Sequence, residues 1–399
     1  MDNFLIGRQQ ILDQNLNTVA YEILFRGGEF DVSQPNEAYS ATNQVLSDIL
    51  LEIGLQNITG NAKAFINFTE QHLLDKTPLN LPKDRIVIEV LENVSVTPQL
   101  IQTIKEFSEK GFTIALDDFI LTPEWKPLLK IADIIKLDIL QMPMEKTLDL
   151  IEQLKPYNLI LLAEKVETRE EFQLLKNAGC VLFQDYFFNK PETIKSQRQN
   201  INKTALMELL SAVNQTDITF DDLGHIIGHD PHLTLKLLNY INSAFFSLPQ
   251  PVDSIPHAIS LLGITELKRW INILTLASIT DKPTAILQNL LIRAKMCELF
   301  AEKMSLDSDE LFLIGLLSGI DGLLDIELQK VLTQLPLDKK VIDAILYKQG
   351  EEGKILDFIL CYERWEVPAL ELERWRPLGV SQFYLQSIEW SNQVLNHAY

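Results

Sequence analysis

Positive charge is in short supply along this chain. Its 399 residues carry 35 Lys and Arg against 55 Asp and Glu, a formal net charge of −20. General binding to nucleic acid or to an anionic membrane surface needs clustered cations, so both are excluded and no DNA partner is expected. Cysteine is scarcer still: Cys180, Cys297 and Cys361 are far apart and odd in number. They form no CxxC and no Cys/His cluster, which argues against a disulfide framework or a zinc site and for buried free thiols in a reducing compartment. Long apolar runs are missing too. No stretch approaches the roughly 20 residues that span a bilayer, and the opening MDNFLIGRQQ lacks the basic start and apolar core of a signal peptide. The expected setting is the cytoplasm, with no membrane insertion.

What remains is ordinary globular material. Hydrophobic residues make up 46% and charged residues 23%, enough for real cores, and the length suits two domains. No low-complexity tract or fixed-period repeat interrupts it. The two halves differ in pattern. Up to about residue 190, short apolar runs alternate with amphipathic stretches, for example RIVIEVLE (85–92), then TPQLIQTIKEFSEKG (97–111), then FTIALDDF (112–119). Gly111 is well placed to end the helix between the two strands. Near-continuous apolar strands separated by helices indicate a parallel sheet buried on both faces. Counting from VAYEILF (19–25) to VLFQDYFF (181–188) gives seven or eight strands, so a TIM-like (β/α)8 barrel is the economical fold.

Beyond the polar stretch NKPETIKSQRQNINKT (189–204), strand signals nearly vanish and apolar residues recur at three-and-four spacing. The second half is expected to be all-α, with Asp230-Pro231 starting a helix and Gly263 stopping one. The expected domains are 1–195 and 196–399.

Polar residues stand at or near the ends of the strand-like runs: Glu22, Asn67, Glu89, Asp117, Asp118, Lys136 and Glu164. Burying so many carboxylates among Ile, Val and Leu is prohibitive unless cations or hydrogen-bond donors receive them. Taken singly, each suits a satisfied strand end or a helix cap. Taken together in strand register, they point to one shared mouth for a divalent metal and an anion. Asp117-Asp118 with the neutral oxygen of Asn67 suits Mg2+ or Mn2+. Two such ions activate water and stabilise a phosphodiester's developing charge. Lys136 is then placed to hold water or neutralise a phosphate oxygen, and Arg26 to clamp phosphate.

The motifs YEILFR (21–26), FINFT (65–69), IEVLE (88–92), LDDF (116–119), IIKLD (134–138), AEKVET (163–168) and FQDYFFNKP (183–191) resemble, in order, those of the EAL family. That family is the cyclic-di-GMP phosphodiesterase domain. The resemblance covers about residues 1 to 195. It implies a metal set of Glu22, Asn67, Glu89, Asp117 and Asp118 for Mg2+ or Mn2+. It also implies Lys136 and Glu164 as catalytic groups handling water or protons, with Arg26 and Gln184 near the dinucleotide.

Departures accompany the matches. Active members follow the aspartates with a Gly-Thr-Gly loop that closes over metal and substrate and helps dimerisation. Here Ile120-Leu121-Thr122-Pro123-Glu124-Trp125 follows, with no glycine. Lys165 and Asp185 stand where the family has glycines, and Leu91 where it has threonine. Glycine permits backbone conformations that other residues resist. Misplacing a catalytic group by about 1 Å can cost on the order of 100-fold in rate. Weak or absent hydrolysis is the expectation.

The second half contains His225, His229-Asp230 and His232, but no histidine between His257 and His397, so a hydrolase metal site there is not expected. Asp230-Pro231, Leu237-Leu238, Asn242-Ser243, Ala258-Ile259 and Leu261-Leu262-Gly263 resemble the HDOD domain. That resemblance implies a protein-interaction module without known chemistry. GLLSGIDGLL (315–324) and LQSIEWSNQV (385–394) resemble proteins joining a degenerate EAL domain to HDOD. Trp365, Trp375, Tyr384 and Trp390 are expected to pack the terminal helices onto a core, an exposed partner groove being the other reading.

Three functions follow. The first is a regulatory cyclic-di-GMP signalling protein that binds ligand or partner with little turnover, contacting protein partners through its HDOD half and open to homodimerisation. The second is a working phosphodiesterase yielding the linear dinucleotide. The third is a scaffold that has lost the nucleotide and keeps its carboxylates paired to Lys136 and Lys165.

Overall fold

The computed structural model describes residues 4–27, 54–184, 206–215, 217–228, 231–242, 252, 254–279, 282–368, 371 and 374–398. The side chains of 4, 5, 25–27, 231–233 and 397–398 fall outside this description, as does the polar stretch 189–204. The chain forms two compact units. One is Met1–Phe187 with Glu363–Trp365 and Gly379–Ser381; the other is Phe188–Tyr362 with Glu366–Leu378 and Gln382–Tyr399.

The first unit is a closed barrel in the order β1 to β8. Its strands are β1 Phe4–Asp13, β2 Thr18–Gly27, β3 Lys63–Phe68, β4 Ile86–Val90, β5 Thr113–Leu116, β6 Ile134–Asp138, β7 Ile160–Glu164 and β8 Leu182–Gln184. From β2 to β8 every neighbour is parallel. The strand that departs from the all-parallel expectation is β1, which lies antiparallel to both β2 and β8. It joins β2 through a tight turn, a connection open only to antiparallel strands. The polar Gly7-Arg8-Gln9-Gln10 at its centre hides it from an apolar-run count, and it supplies the eighth strand.

The connecting helices follow the sequence signals. Thr97 caps α1 (Pro98–Glu109) by accepting from Leu100 N, and proline occupies its first turn. Gly111 then takes φ +88, the left-handed conformation that lets the chain turn into β5. At α2 (Arg169–Ala178), Thr168 and Glu171 form a reciprocal capping box.

Inside the barrel, side chains alternate with period two and so fall in layers. Ile11, Ala20, Phe65, Val87, Ala115, Ile134 and Leu162 form one buried apolar cluster, with Leu182 packed against it. Each belongs to a different strand. This layer closes the barrel below the mouth.

The second unit is helical in its described residues. It includes α3 (Phe220–Gly228), α4 (Pro231–Ile241), α5 (Ile255–Ala277), α6 (Thr284–Met304), α7 (Ser308–Leu317), α8 (Gly350–Glu363) and α9 (Val380–Ala398). Gly263 interrupts α5 at φ 77 and ψ 168, so the expected stop appears as a kink between two helical segments. Where α6 and α7 meet, a Cβ on Gly315 would lie 2.6 Å from Ala294 Cα, so the close approach requires glycine. Trp375 packs on Phe300 and Phe358 with ring centroids 5.6 and 5.4 Å away, while Trp390 lies edge-on to Phe312 and Tyr384 to Tyr362. Trp375 and Tyr384 are buried and Trp390 half-buried, so these three tail aromatics pack against the helical core, as expected. No helix among the described residues is long and apolar enough to cross a membrane.

A lysine ringed by carboxylates at the barrel mouth

Two residues beyond the apolar layer, each parallel strand or the residue just after it supplies one polar side chain. Ala20 leads to Glu22, Phe65 to Asn67, Val87 to Glu89 and Ala115 to Asp117. Ile134 leads to Lys136, Leu162 to Glu164 and Leu182 to Gln184. On the reversed strand β1 the same step runs backwards, from Ile11 to Gln9. Period two thus aims eight polar groups at one level of the barrel. Backbone bonds from Asp117 N to Val90 O (3.0 Å) and from Phe119 N to Lys136 O (3.1 Å) hold the end of β5 between its neighbours.

Lys136 stands at the centre, 1% exposed. Its Nζ lies 3.1 Å from Glu22, 2.9 Å from Asp117 and 2.7 Å from Glu164. It also donates to Glu89 Oε1. Gln184 Nε2 donates to Glu22 Oε2 at 2.7 Å and to Gln9 Oε1 at 3.0 Å, and Asn67 Nδ2 donates to Glu22 Oε1 at 3.0 Å. Six of the expected site residues therefore share a connected network with Lys136. Asp118 joins Asp117 and Glu164, with oxygens of the three within 4.8 Å of one another, while the ion pairs of Lys136 go to Glu22, Glu89, Asp117 and Glu164. Arg26 lies on β2 with its side chain outside the description, and Asp185 lies outside the described residues.

One ammonium has three N–H donors and one positive charge. It faces four carboxylates, so protons or further cations must make up the difference. Burial and the nearby Glu22 charge push Glu89 well above the carboxylate range, against the pull of Lys136. Burial likewise raises Glu164 to about 8, with Asp117 and Glu22 adding to it and Lys136 opposing. Burial, then Asp117 and Asp138, raise Asp118 to about 6. Glu22 goes the other way. Its burial favours the neutral acid, but Lys136 and the amides of Gln184 and Asn67 outweigh that and hold it below the usual value. The same ring of acids, against desolvation, keeps Lys136 charged.

Oxygen atoms are left over. Glu89 Oε2 and Asn67 Oδ1 are buried without a hydrogen-bond partner, a costly state unless something electropositive fills it. Glu22, Glu89 and Glu164 have oxygens within 4.8 Å of one another. A set of carboxylates plus one amide oxygen fits a hard divalent cation such as Mg2+ or Mn2+.

Two site residues escape the strand-end reading. Gln9 is hidden on the antiparallel strand. Asp138, 4% exposed, lies two residues beyond Lys136 on β6, so the period-two rule itself was the signal for it. Its Oδ2 accepts from Lys165, and its Oδ1 from Leu140 N at 2.8 Å. Lys165 takes φ 56 and Asp118 φ 43, both left-handed. The position held by glycine in the motif does require glycine-like backbone, and a lysine occupies it here. After Asp118, Phe119 packs edge-on against Trp125 at 6.2 Å, while Ile120 is 55% exposed. In the helical unit, His225 lies in the last turn of α3; His229 and the side chain of His232 are outside the description.

Comparison with known proteins agrees with this architecture. The model of the EAL domain matches residues 39–191, and that of the HDOD domain matches 174–339. An uncharacterized Bacillus subtilis protein, YuxH, is 32% identical over 403 residues, covering 98% of each chain. A Vibrio cholerae protein named cyclic di-GMP phosphodiesterase CdgJ is 31% identical over 400 residues, covering 98% of this chain and 92% of that one. Among solved structures, a standalone EAL protein from Vibrio cholerae O395, titled as a c-di-GMP-bound form, is 25% identical. It covers 46% of this chain and 90% of its own, with a TM-score of 0.35. With end-to-end relatives in two bacteria and both domain models matched in order, the chain belongs to the family of two-domain proteins in which an EAL domain is followed by an HDOD domain.

Proposed function

We propose that the barrel mouth binds cyclic-di-GMP with slow hydrolysis or none, and that the helical half passes the bound state to protein partners. The observation that carries this reading is the ring of Glu22, Glu89, Asp117 and Glu164 around the buried Lys136, with Asn67 and Gln184 bonded into it. A bis-phosphate ligand needs cations beside its phosphates. Glu22, Asn67, Glu89, Asp117 and Asp118 would hold Mg2+ or Mn2+. A bound ion would polarise a phosphate oxygen and acidify water. Lys136 and Glu164 would hold and move the proton of the attacking water, with Arg26 and Gln184 orienting the dinucleotide. Slow turnover follows from the segment after Asp118, where Ile120 to Trp125 hold a proline and no glycine.

Full phosphodiesterase activity is the second reading, favoured by the name of the Vibrio relative CdgJ. Calorimetric titration of cyclic-di-GMP with and without Mg2+, followed by chromatography of the mixture, separates the two. Binding without linear product supports a sensor, rapid product supports the enzyme, and no heat under either condition removes both.

A further inference from the structure

The fourth tail aromatic, Trp365, departs from the other three. It follows α8 by two residues and groups, within Glu363–Trp365, with the barrel unit. Its backbone takes φ 59 in the turn that ends α8, where Glu366 N donates to Cys361 O at 2.9 Å. Glycine is the usual residue in such a turn, so the turn itself does not call for an indole.

The indole lies against Gly7 on β1, where an added Cβ would come within 2.5 Å of Trp365 Cε3. Alternation along the strand fixes which side this is. Ile11 belongs to the apolar layer inside the barrel, Gln9 accepts from Gln184 in the polar ring, and Gly7 is the next position on that inner face. Gln9 is paired with Glu22 across the ladder, and Gly7 with Leu24. Arg8 turns the opposite way, onto the Tyr21 ring at 4.2 Å. Two residues of strand rise about 7 Å, so the indole stands one layer above the carboxylates, level with Leu24. Its six-membered ring packs on the strand, and the side chain is only partly buried, so some of its surface stays open.

An uncharged π-face at that height suits neither a metal ion nor a phosphate, both of which belong with the charged ring below. It suits a flat aromatic base, which a ribose holds away from the phosphate by about one such layer. Resting on the reading of the mouth as a cyclic-di-GMP site, we infer that Trp365 supplies the wall on which one purine base of the dinucleotide stacks. The missing side chain of Gly7 makes the room for it. The wall comes from a residue beyond the segment 39–191 that matches the EAL domain.

Calorimetric titration of the full chain with cyclic-di-GMP and Mg2+ tests this. Trp365→Leu keeps apolar bulk without a π-face and should bind about 10- to 100-fold more weakly, whereas Trp365→Tyr should stay within about threefold of wild type. Gly7→Ala displaces the indole without altering it and should also weaken binding. Indole emission gives a readout that packing alone would not move. The ligand should quench it in wild type, and that quenching should be lost in Trp365→Tyr although binding persists. Circular dichroism checks folding, and if the leucine variant does not fold, the quenching difference decides. Unchanged or tighter binding by Trp365→Leu, or quenching that survives in Trp365→Tyr, overturns the inference while leaving the reading of the mouth intact. No binding by wild type removes both.

Discussion

Lys136 donates to Glu89 inside the barrel with 1% and 0% of the two side chains reaching solvent. The pair spans β6 and β4, so it ties together strands that are not neighbours. Its partners Glu22, Asp117 and Glu164 make it the electrostatic centre of the mouth.

Removing the lysine should be expensive. Lys136→Met leaves four clustered carboxylates without their shared cation, and a loss of about 3–5 kcal/mol in urea unfolding is expected. Glu89→Gln should cost under about 1.5 kcal/mol, because burial and Glu22 already favour the neutral acid there. Equal losses in the two variants would show that Lys136 is not the centre of the network.

The raised carboxyl of Glu164 sets a pH dependence. Its folded value of about 8 lies above the ordinary 4.5, so the folded state holds the proton more tightly than the unfolded chain. Stability from this group is full below about pH 4.5, falls as pH rises, and is lost above about 8. Glu164→Gln removes the dependence. The melting temperature of wild type minus that of the variant should therefore decline from pH 5 to pH 8. A flat difference would contradict the assignment.

At the proposed metal site, divalent ions would compete with those protons. Stabilisation by Mg2+ or Mn2+ should grow between about pH 6 and 8, as Asp118 and Glu164 give up protons. Thermal shift at fixed ion concentration across that range reads it directly. An effect that shrinks with pH would argue against carboxylate ligation.

In the proposed function, the segment after Asp118 is the brake on turnover. Exchanging Ile120-Leu121-Thr122 for Gly-Thr-Gly should raise hydrolysis of cyclic-di-GMP by about tenfold or more, since the penalty for a misplaced group is of that order or larger. Unchanged turnover with unchanged binding would move the defect to Lys165 or Asp185.

In the helical unit, Gly315→Ala should destabilise by about 1–3 kcal/mol, because the new methyl would press on the α6 backbone 2.6 Å from Ala294 Cα. Gly224→Ala is the control. Its methyl would meet only the tip of Ile259 at 3.4 Å, and the helix gains from alanine, so no loss is expected in chemical denaturation.

Most of the mouth was legible before any coordinates. Glu22, Asn67, Glu89, Asp117, Lys136, Glu164 and Gln184 each stand two residues beyond an apolar side chain of the barrel interior, a spacing visible in the strings themselves. Gln9 was not, because its strand runs the opposite way and its polar centre hides its period. Asp138 was readable by the same rule but is masked by the apolar run around it. The helical half was legible as helices from spacing, and a break at Gly263 from glycine, although the expected stop is a kink after which the helix resumes. That α6 and α7 meet at Gly315 was not, since a glycine inside a helix does not announce its neighbour.

Strand periodicity and residue type determined, from the sequence alone, that acids and one lysine would face the same barrel level. Local stereochemistry is enough for that, because alternate side chains share a face whatever the strand's partners are. Only closure of the barrel decided who meets whom. It brought one ammonium among four carboxylates, left Glu89 and Asn67 each with an unserved oxygen, and gave Lys165 to Asp138. Ionisation there depends on distances between strands far apart in the chain and on the water excluded when they close, and no stretch of sequence encodes either by itself.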